Sequence, residues 1–320
     1  MMHTPLGLRP AESLIDRDYT QRENPDLFDN LWENPATRIL AMYEGQVLLA
    51  GNVAHPTASL RLLTVEEVPS AQLRVYLGKT LTDHGDEPAG TPIVLAVLGT
   101  NSANQLEPDP EMWHGLRKTG AGLSLRDAEI YAQGLALANF HLNHKHCPRC
   151  GLPTVIEQGG WSRRCFQDQS QTFPRTDPAI IVSVVDDRDR ILLGSQGVWE
   201  DNRWSVLAGF VEPGESLAAA VIREVYEEAG IRITDVEYLG SQAWPFPYSL
   251  MVAFTARIDT SNGPQELAPD GVEIEKVRWF SREEIAAERD ELILPGKLSV
   301  ARSLLDHWFG GDIDGGRLDG

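Results

Sequence analysis

The stretch from Gly209 to Ile231, GFVEPGESLAAAVIREVYEEAGI, constrains this 320-residue chain more than any other. Pro213-Gly214 is typical of a turn, Ser216 can cap a helix, and Gly230 is favourable just beyond a helix end. The sequence therefore predicts a loop followed by a helix over about 217–229. Apolar residues recur along this helix at spacings of four, three and four, which predicts a buried stripe. The members of that stripe are Ala218, Ile222, Val225 and Ala229.

Three glutamates fall beside the stripe. Glu224, Glu227 and Glu228 stand at i, i+3 and i+4, so a helix brings them to one face. Anions packed this closely repel one another, whereas Mg²⁺ or Mn²⁺ prefers carboxylate oxygens and keeps positions open for water and phosphate. If the three glutamates were considered without their flanking residues, a solvated acidic helix face would be the better interpretation. The fixed spacing of the flanking glycines, and of Arg223 with its expected partner Glu215, favours a metal site instead.

With all of these positions matched, the stretch resembles the Nudix box, the signature of hydrolases that cleave a nucleoside diphosphate linked to another group. The resemblance implies a metal-activated water that attacks a pyrophosphate phosphorus. It makes Glu224, Glu227 and Glu228 the predicted catalytic residues and ligands of Mg²⁺ or Mn²⁺. Which of them acts as the base varies within the family and stays open.

Composition limits the alternatives. The hydrophobic content of 42% is ordinary for a globular protein, and no apolar run is long enough to span a membrane. The N-terminal residues lack the pattern of a signal peptide, so none is expected. The formal net charge of −19 argues against extended binding of nucleic acid. Three cysteines are too few for a disulfide scaffold and fit the reducing cytoplasm.

The first part of the chain has a strand-rich pattern without a catalytic constellation. Short β-branched runs between turn residues predict strands within Thr37–Ala50, Ser59–Val68, Gln72–Leu77 and Thr91–Leu98. Residues 1–123 are therefore predicted to form a small, mostly β domain.

A helix predicted over Ser124–Leu142 leads into a segment that contains all three cysteines. Two pairs of residues, each with the spacing of a Cys-x-x-Cys knuckle, are separated by 14 residues, as in a zinc ribbon with four tetrahedral ligands. The candidate zinc ligands are Cys147, Cys150, Cys165 and Asp168. Residues 124–177 are thus predicted to be a helix followed by a zinc-ribbon-like segment.

Asp168 stands where a fourth cysteine is usual, and carboxylate is a less common ligand in structural zinc sites. His144, His146 or water could complete the site in its place. The ribbon could also persist without metal, held by packing around Trp161.

The remainder, residues 178–320, is predicted to be a Nudix domain, an α/β/α sandwich with a mixed sheet, which makes the whole chain α+β. Helices are expected from near Ser281 and over about Ser299–Phe309. The predicted strands are Pro178–Val185, Arg190–Gly194, Val236–Leu239, Leu250–Arg257 and Glu273–Phe280, and Trp204–Leu207 leads into the box.

The stretch Ser241–Ser249, SQAWPFPYS, bears on the substrate. Its prolines and aromatic residues predict a stiff, non-helical loop whose flat surface could stack on a base or a nicotinamide ring. A loop that only caps the sheet is the alternative. The stretch resembles the S-Q-P-W-P-F-P-x-S array of the NADH pyrophosphatases within the Nudix superfamily, with Ala243 in place of the first proline. This resemblance extends from Ser124 to the C-terminus.

Carried over by position, the resemblance implies further site residues. The carbonyl of Ala208 and the carboxylate of Glu273 would add metal ligands, and strand alternation would turn Glu275 to the other face. Arg117 matches a substrate-contacting arginine only across a one-residue gap. The other implied substrate-binding residues are Phe173, Phe210, Gln242, Ala243, Trp244, Pro245, Phe246, Pro247, Tyr248, Ser249 and Ala301. Members of this group are homodimers with sites shared between subunits.

The expected function is that of a cytoplasmic hydrolase that splits NADH or NAD⁺ into NMN(H) and AMP, with catalytic Mg²⁺ or Mn²⁺ and structural Zn²⁺. Removal of an NAD cap from RNA 5′ ends would break the same bond. Hydrolysis of ADP-ribose or another nucleotide is an alternative, against which the SQAWPFPYS stretch argues. A non-enzymatic zinc-ribbon protein is another, but it would not need the intact box glutamates.

Overall fold

The computed structural model describes residues 13–51, 58–261 and 263–313, together with the backbone of Arg317–Leu318. The described residues divide into two compact units. The N-terminal unit comprises those up to Arg175 together with Pro245–Tyr248, and the C-terminal unit comprises Thr176–Trp244 and those from Ser249 onward. The three-part division predicted from the sequence stays a prediction. In the described part of the chain, no helix combines the length and apolarity of a membrane span.

The N-terminal unit contains a mixed sheet of order β1-β5-β6-β2-β3-β4, with β7 also paired to β3. Among the described strands of this sheet, only β2 and β6 pair in parallel. The strands are β1 (Ile15–Asp16), β2 (Arg38–Tyr43), β3 (Gln46–Ala50), β4 (Ser59–Leu60), β5 (Ala71–Thr80), β6 (Pro92–Leu98) and β7 (Trp113–Gly115). The helices are α1 (Leu27–Glu33), α2 (Thr100–Leu106), α3 (Leu116–Thr119) and α4 (Leu125–Asn143).

The strand predicted over Ser59–Val68 is wrong beyond Leu60. The Glu67 carboxylate accepts hydrogen bonds from both the N–H and the hydroxyl of Thr64, at 2.8 and 3.1 Å. Glu67 therefore closes a turn where the sequence pattern had suggested extended chain.

Helix α4 begins as predicted, because the Ser124 hydroxyl accepts the Asp127 N–H at 3.1 Å. Three antiparallel strands follow: β8 (Thr154–Glu157), β9 (Ser162–Cys165) and β10 (Gln171–Thr172). The indole N–H of Trp161 donates to the Tyr76 carbonyl on β5 at 2.7 Å. Trp161 thus fixes this small sheet to the larger sheet of the same unit.

The C-terminal unit is a sandwich around a mixed sheet of order β14-β15-β11-β12-β16, with β13 also paired to β11. Strands β11 and β15 are parallel. The strands are β11 (Asp177–Val185), β12 (Ile191–Ser195), β13 (Leu207–Phe210), β14 (Ile233–Trp244), β15 (Ser249–Ile258), β16 (Lys276–Phe280), β17 (Ile293–Leu294) and β18 (Arg317–Leu318), the last two forming a separate parallel pair. The helices are α5 (Leu217–Ala229), α6 (Arg282–Glu288) and α7 (Val300–Phe309).

Strand β11 shows why this sheet is covered on both faces. Ile180, Val182 and Val184 join one hydrophobic cluster, which includes residues of α5. Ile181 and Val185 alternate with them and join a second cluster, which includes residues of α6 and α7. The α/β/α sandwich expected from the sequence is confirmed.

Helix α5 has the predicted ends, since the Ser216 hydroxyl accepts the Ala219 N–H and Gly230 adopts a left-handed φ of 72°. The predicted buried stripe is partly wrong. Ala218 is exposed and the side chain of Ile222 is 47% exposed. The buried residues are instead Ala220, Val221, Glu224, Val225, Glu228 and Ala229. Two glutamates lie on the inward face, which apolar periodicity cannot reveal.

Two other local predictions are corrected. Strand β16 begins at Lys276, so Glu273 and Glu275 lie in the preceding loop, where the Asp270 carboxylate accepts the backbone N–H groups of residues 272–274. Ser241–Ser249 is a hairpin, with Ser241–Trp244 ending β14 and Ser249 opening β15. Only Pro245–Tyr248 forms a turn between them.

Candidate active site

Two of the box glutamates are buried in helix α5. Glu228 is only 4% exposed, and its Oε2 atom has no hydrogen-bond partner among the described residues. Burial, reinforced by the nearby charges of Glu224 and Glu273, raises the pKa of Glu228 to about 8. Burial likewise raises the pKa of Glu224. Because one buried carboxyl oxygen has no hydrogen-bond partner among the described residues, the protein atoms alone do not complete this cluster.

Arg223 organises the outer side of the cluster. It pairs with Glu215 through two hydrogen bonds of 2.6 and 2.9 Å, as expected from the sequence. The same guanidinium reaches Glu224 at 2.9 Å and Glu227 at 2.8 Å, and donates to the Phe210 carbonyl at 3.0 Å. One cation thus orients three carboxylates and ties β13 to α5.

Gly209 allows the chain to pass directly against Glu224. A Cβ atom at this position would lie 2.0 Å from the carboxyl carbon of Glu224. Any larger residue would displace that carboxylate or the strand, so the glycine of the motif is required by the close approach.

A cavity of about 240 Å³ lies beside the buried glutamates in the C-terminal unit. Glu228 and Ala208 line it, so two of the five predicted metal ligands border an open space. Trp199, Trp244 and Ala301 also contribute to its walls. The cavity therefore joins the carboxylate cluster to aromatic surface suited to a flat ring.

Glu273 and Glu275 face different surroundings. The charge of Glu273 contributes to the raised pKa of both Glu224 and Glu228, after burial, which places its carboxylate near the cluster. The Glu275 carboxylate instead lies by Gly197, where an added Cβ atom would be 3.3 Å from its Oε2. The loop conformation, rather than strand alternation, separates the two carboxylates.

Gln242 does not line the cavity but holds its wall. Its side-chain N–H donates to the Leu298 carbonyl at 2.7 Å, and its carbonyl oxygen accepts the Val300 N–H at 2.8 Å. Gln242 therefore binds the residues on both sides of Ser299, the N-cap of α7, and Ala301 in the first turn of that helix lines the cavity. The flanking Ala243 is exposed.

The turn residues of the hairpin pack within the N-terminal unit. The Asn139 side chain donates to the Pro245 carbonyl at 3.0 Å and to that of Pro247 at 3.3 Å. The Tyr248 hydroxyl accepts from the Asn143 amide at 2.7 Å and donates to the Asn139 carbonyl at 3.1 Å. Helix α4 thus holds this turn from two successive helical turns.

Three of the predicted substrate-binding residues, Arg117, Phe173 and Phe210, do not line the cavity beside Glu228. The Arg117 guanidinium lies 4.4 Å from the centre of the Phe246 ring, so the structure brings these two residues together. Phe173, in the N-terminal unit, is 57% exposed, and Phe210, in the C-terminal unit, is 60% exposed. Both rings are available for stacking.

The four candidate zinc ligands come together. Their ligating atoms all lie within 4.8 Å of one another, with Cys150 Sγ and Cys165 Sγ 3.5 Å apart. Neither His144 nor His146 belongs to this group among the described residues. Hydrogen bonding by Ser170 lowers the pKa of Asp168 to about 2 and that of Cys147 to about 7, which favours the ligating, deprotonated forms. The donor set and spacing fit a tetrahedral ion.

Trp199 and Gln196 line the cavity but were missed by the sequence analysis. The only available signal was a tryptophan in the loop that enters the box, between β12 and β13. Nothing in periodicity shows that a loop side chain turns inward.

Comparison with known proteins places these observations in a family. Three family models match the chain in succession: the NADH pyrophosphatase-like rudimentary NUDIX domain over residues 36–139, the NADH pyrophosphatase zinc ribbon domain over 142–173, and the NUDIX domain over 174–298. The N-terminal region, predicted only as mostly β, is therefore similar to a rudimentary NUDIX domain.

Individual relatives agree with these matches. The NAD-capped RNA hydrolase NudC of Mycobacterium tuberculosis is 35% identical over 271 residues, which cover 78% of this chain and 85% of the relative. The NAD-capped RNA hydrolase NUDT12 of Homo sapiens is 34% identical over 201 residues, covering 58% of this chain and 43% of the relative. Given this similarity along most of the mycobacterial protein and the zinc-ribbon and NUDIX matches, the chain belongs to the NADH pyrophosphatase, or NudC-type, family of Nudix hydrolases.

Proposed function

We propose that this protein hydrolyses the pyrophosphate bond of NADH or NAD⁺ to give NMN(H) and AMP. The observation that carries the proposal is the buried Oε2 atom of Glu228, which has no hydrogen-bond partner among the described residues and belongs to a side chain that lines the same cavity as Trp244. Carboxyls so placed are costly unless a cation joins them. Membership of a family whose models are described by NADH pyrophosphatase activity supports the choice of substrate.

The residues around the cavity fit a divalent cation, Mg²⁺ or Mn²⁺. Its proposed ligands are the Ala208 carbonyl and the carboxylates of Glu224, Glu227, Glu228 and Glu273. When bound, such a cation withdraws charge from phosphorus and lowers the pKa of a coordinated water. The partnerless Oε2 of Glu228 and the close approach of Gly209 to Glu224 are the features that support this fit.

The chain's own residues hold and orient the substrate. Trp244 offers a ring face and Ala301 a small wall that leaves room for a ligand. Exposed Phe173 and Phe210 are proposed to stack on the rings of the dinucleotide. The rest of the hairpin, namely Gln242, Ala243, Pro245, Phe246, Pro247, Tyr248 and Ser249, is proposed to shape the site with Arg117.

Zinc binding at Cys147, Cys150, Cys165 and Asp168 is proposed as a structural feature. The four ligand atoms already lie together, and the segment matches a zinc ribbon domain. A Cys₃Asp site should hold zinc less tightly than four thiolates, because oxygen is the harder ligand.

Two relatives are named for hydrolysis of NAD-capped RNA, and we extend this activity to the present chain as part of the proposal. The net charge of −19 favours recognition of the NAD cap over extended contact with RNA. A homodimer, as implied by the family resemblance, and a cytoplasmic location, as suggested by the cysteine content, complete the proposal.

Product analysis tests this function. Purified protein is incubated with NADH, NAD⁺ and ADP-ribose, separately with Mg²⁺ and with Mn²⁺, and the products are identified by mass. We expect NMN(H) and AMP from the dinucleotides and little turnover of ADP-ribose. Preferential hydrolysis of ADP-ribose would instead support the alternative nucleotide substrate.

A further inference from the structure

The loop before β16 contains Glu273, and it is attached at both ends within the C-terminal unit. At its start, the Ala268 N–H donates to the carbonyl of Ala229, the last residue of α5, at 2.9 Å. At its end, the Glu275 N–H donates to the Ser195 carbonyl of β12, also at 2.9 Å. The loop therefore runs from the helix that carries the box glutamates to the adjoining sheet.

Ile274 attaches the middle of this loop to the candidate active site. Its side chain is only 4% exposed and belongs to the hydrophobic cluster that includes residues of α5. Ile274 also lines the cavity beside Glu228, whereas the preceding Glu273 is exposed. Packing of Ile274 thus keeps the backbone of Glu273 close to the cavity, but it does not fix the direction in which that exposed side chain leaves the backbone.

The Asp270 carboxylate fixes the peptide groups on either side of Glu273. Its Oδ1 atom accepts the N–H groups of Val272, Glu273 and Ile274 at 3.1, 3.2 and 2.9 Å, and its Oδ2 atom also lies 3.2 Å from the Glu273 nitrogen. Gly271, with a left-handed φ of 69°, closes the turn by donating its N–H to the Ile274 carbonyl at 3.0 Å. One carboxylate therefore orients three successive residues, with Glu273 in the centre.

These hydrogen bonds separate the role of Asp270 from that of a metal ligand. A carboxylate offers about four lone-pair positions, and the backbone contacts of Asp270 occupy most of them. Residues that hold a ligating carboxylate by hydrogen bonds contribute to metal affinity through that ligand. The contacts of Asp270 are of this kind, because they act on the backbone from which the Glu273 side chain extends.

We propose that Asp270 is a positioning residue for the divalent cation: it orients Glu273 and thereby sets the affinity of the candidate active site for Mg²⁺ or Mn²⁺, without ligating the cation. This inference rests on the proposed function, in which Glu273 is a metal ligand. It requires that affinity for the cation depend on the acceptor oxygen at position 270 and not on the negative charge there.

Two conservative substitutions separate the acceptor from the charge. Asp270→Asn removes the charge but retains an oxygen at the Oδ1 position, whereas Asp270→Glu retains the charge but moves the oxygens by one methylene group. Protein dialysed free of Mg²⁺ and Mn²⁺ is titrated with Mn²⁺ in the absence of substrate, and the free ion is measured by electron paramagnetic resonance. We expect Asp270→Ala and Asp270→Glu to raise the Kd for Mn²⁺ about tenfold or more, and Asp270→Asn to stay within about threefold of the wild type.

The matched control is a second exposed aspartate of the same unit that holds a turn. Asp259 Oδ1 accepts the Ser261 N–H at 2.9 Å, and Asp259 does not line the cavity beside Glu228. Asp259→Ala should leave the Kd for Mn²⁺ within about twofold of the wild type, because the turn that it loosens carries no proposed metal ligand. Melting temperatures of all variants without Mn²⁺ show whether each remains folded.

A double-variant cycle tests whether Asp270 acts through Glu273. In a Glu273→Gln background, Asp270→Ala should change the Kd for Mn²⁺ by less than about twofold, since two residues that act through one ligand are not additive. Additive effects, or tighter binding by Asp270→Glu than by Asp270→Asn, would overturn the inference while leaving the metal site in place. Absence of Mn²⁺ binding by the wild type would overturn the metal site and the inference together. Mn²⁺ binding in the expected order by a protein that hydrolyses no NADH would support the inference and reject the proposed substrate.

Discussion

Glu228 combines three properties that rarely coincide in one carboxyl group: deep burial, a pKa raised to about 8, and an oxygen without a hydrogen-bond partner among the described residues. A structural glutamate at the same place would be paired, since an unpaired buried charge costs several kcal/mol. A bound cation would supply the missing partner of the Glu228 carboxyl oxygen. Glu227 differs, because Arg223 already pairs with its carboxylate at the surface.

Replacement of Glu228 by Gln should lower kcat for NADH by several orders of magnitude while leaving the fold intact. The amide has the same shape but cannot supply the anionic oxygen that positions a cation and water. Turnover at saturating Mg²⁺ and circular dichroism are the measurements. Glu237→Gln serves as the control, and near-normal turnover of Glu228→Gln would contradict the assignment of the metal site.

The same variant should change the pH dependence of stability in metal-free protein. The folded pKa of Glu228, about 8, lies above its ordinary value of 4.5, so the folded state binds the proton more tightly than the unfolded state. This contribution to stability is complete below about pH 4.5 and is lost as the pH rises through about 8. Melting temperatures of chelated wild type should therefore fall between pH 5 and pH 9 more steeply than those of Glu228→Gln. Parallel curves would mean that Glu228 ionises normally.

At the scale of elements, Gln242 connects the end of β14 to the start of α7 through two hydrogen bonds. Gln242→Glu keeps the acceptor for the Val300 N–H but sets a carboxylate against the Leu298 carbonyl. We expect KM for NADH to rise about tenfold or more with a smaller change in kcat, because α7 carries Ala301 but no predicted metal ligand. A proportionate fall in kcat with unchanged KM would show that Gln242 acts on the chemical step instead.

The candidate zinc site beside the small sheet of β8, β9 and β10 can be tested by replacing its one carboxylate ligand. Asp168→Cys should increase zinc retention after mild chelation and raise the melting temperature, since a fourth thiolate is the softer ligand. Elemental analysis and thermal melts measure both effects, and kcat with Mg²⁺ restored should stay close to that of the wild type. Absence of zinc from both proteins would reject the site, and a large change in kcat would show that the ribbon reaches the active centre.

Helix α5 and the loop before β16 show which structural features the sequence could predict. The ends of α5 were predictable because Ser216 and Gly230 act locally. Its buried face was not, because burial of Glu224 and Glu228 depends on what packs against them. The loop around Glu273 was missed for a related reason: Asp270 holds it by accepting three backbone N–H groups, an interaction that no periodic pattern records. For Trp199, which lines the cavity, the sequence offered no signal beyond a tryptophan in the loop between β12 and β13.

At the scale of the whole molecule, the two units contain the same pairing pattern. In the N-terminal unit β5–β6 is antiparallel, β6–β2 parallel and β2–β3 antiparallel. In the C-terminal unit β14–β15, β15–β11 and β11–β12 repeat this order. The segment between β4 and β5 contains an isolated bridge and a turn but no helix, whereas α5 lies between β13 and β14. This agrees with the match to a rudimentary NUDIX domain.

The hairpin turn Pro245–Tyr248 packs within the N-terminal unit, and removal of its contacts there should affect substrate binding. Replacing both Asn139 and Asn143 with Ala removes the donors to the Pro245 and Pro247 carbonyls and to the Tyr248 hydroxyl. We expect KM for NADH to rise several-fold with kcat little changed, because the turn directly follows Trp244 in the chain. Replacing exposed Asn104 with Ala is the control. An unchanged KM in the double variant would limit the turn to a structural role.

The contact between Gly209 and Glu224 offers a way to inactivate this protein without altering its charge. Substituting Ala at 209 adds one methyl group, yet that group would fall 2.0 Å from the Glu224 carboxyl carbon and force it aside. Every acidic side chain would remain, so the isoelectric point and ionic behaviour would match the parent. Such a protein would be a cleaner inactive reference for cellular work than any variant that deletes a glutamate.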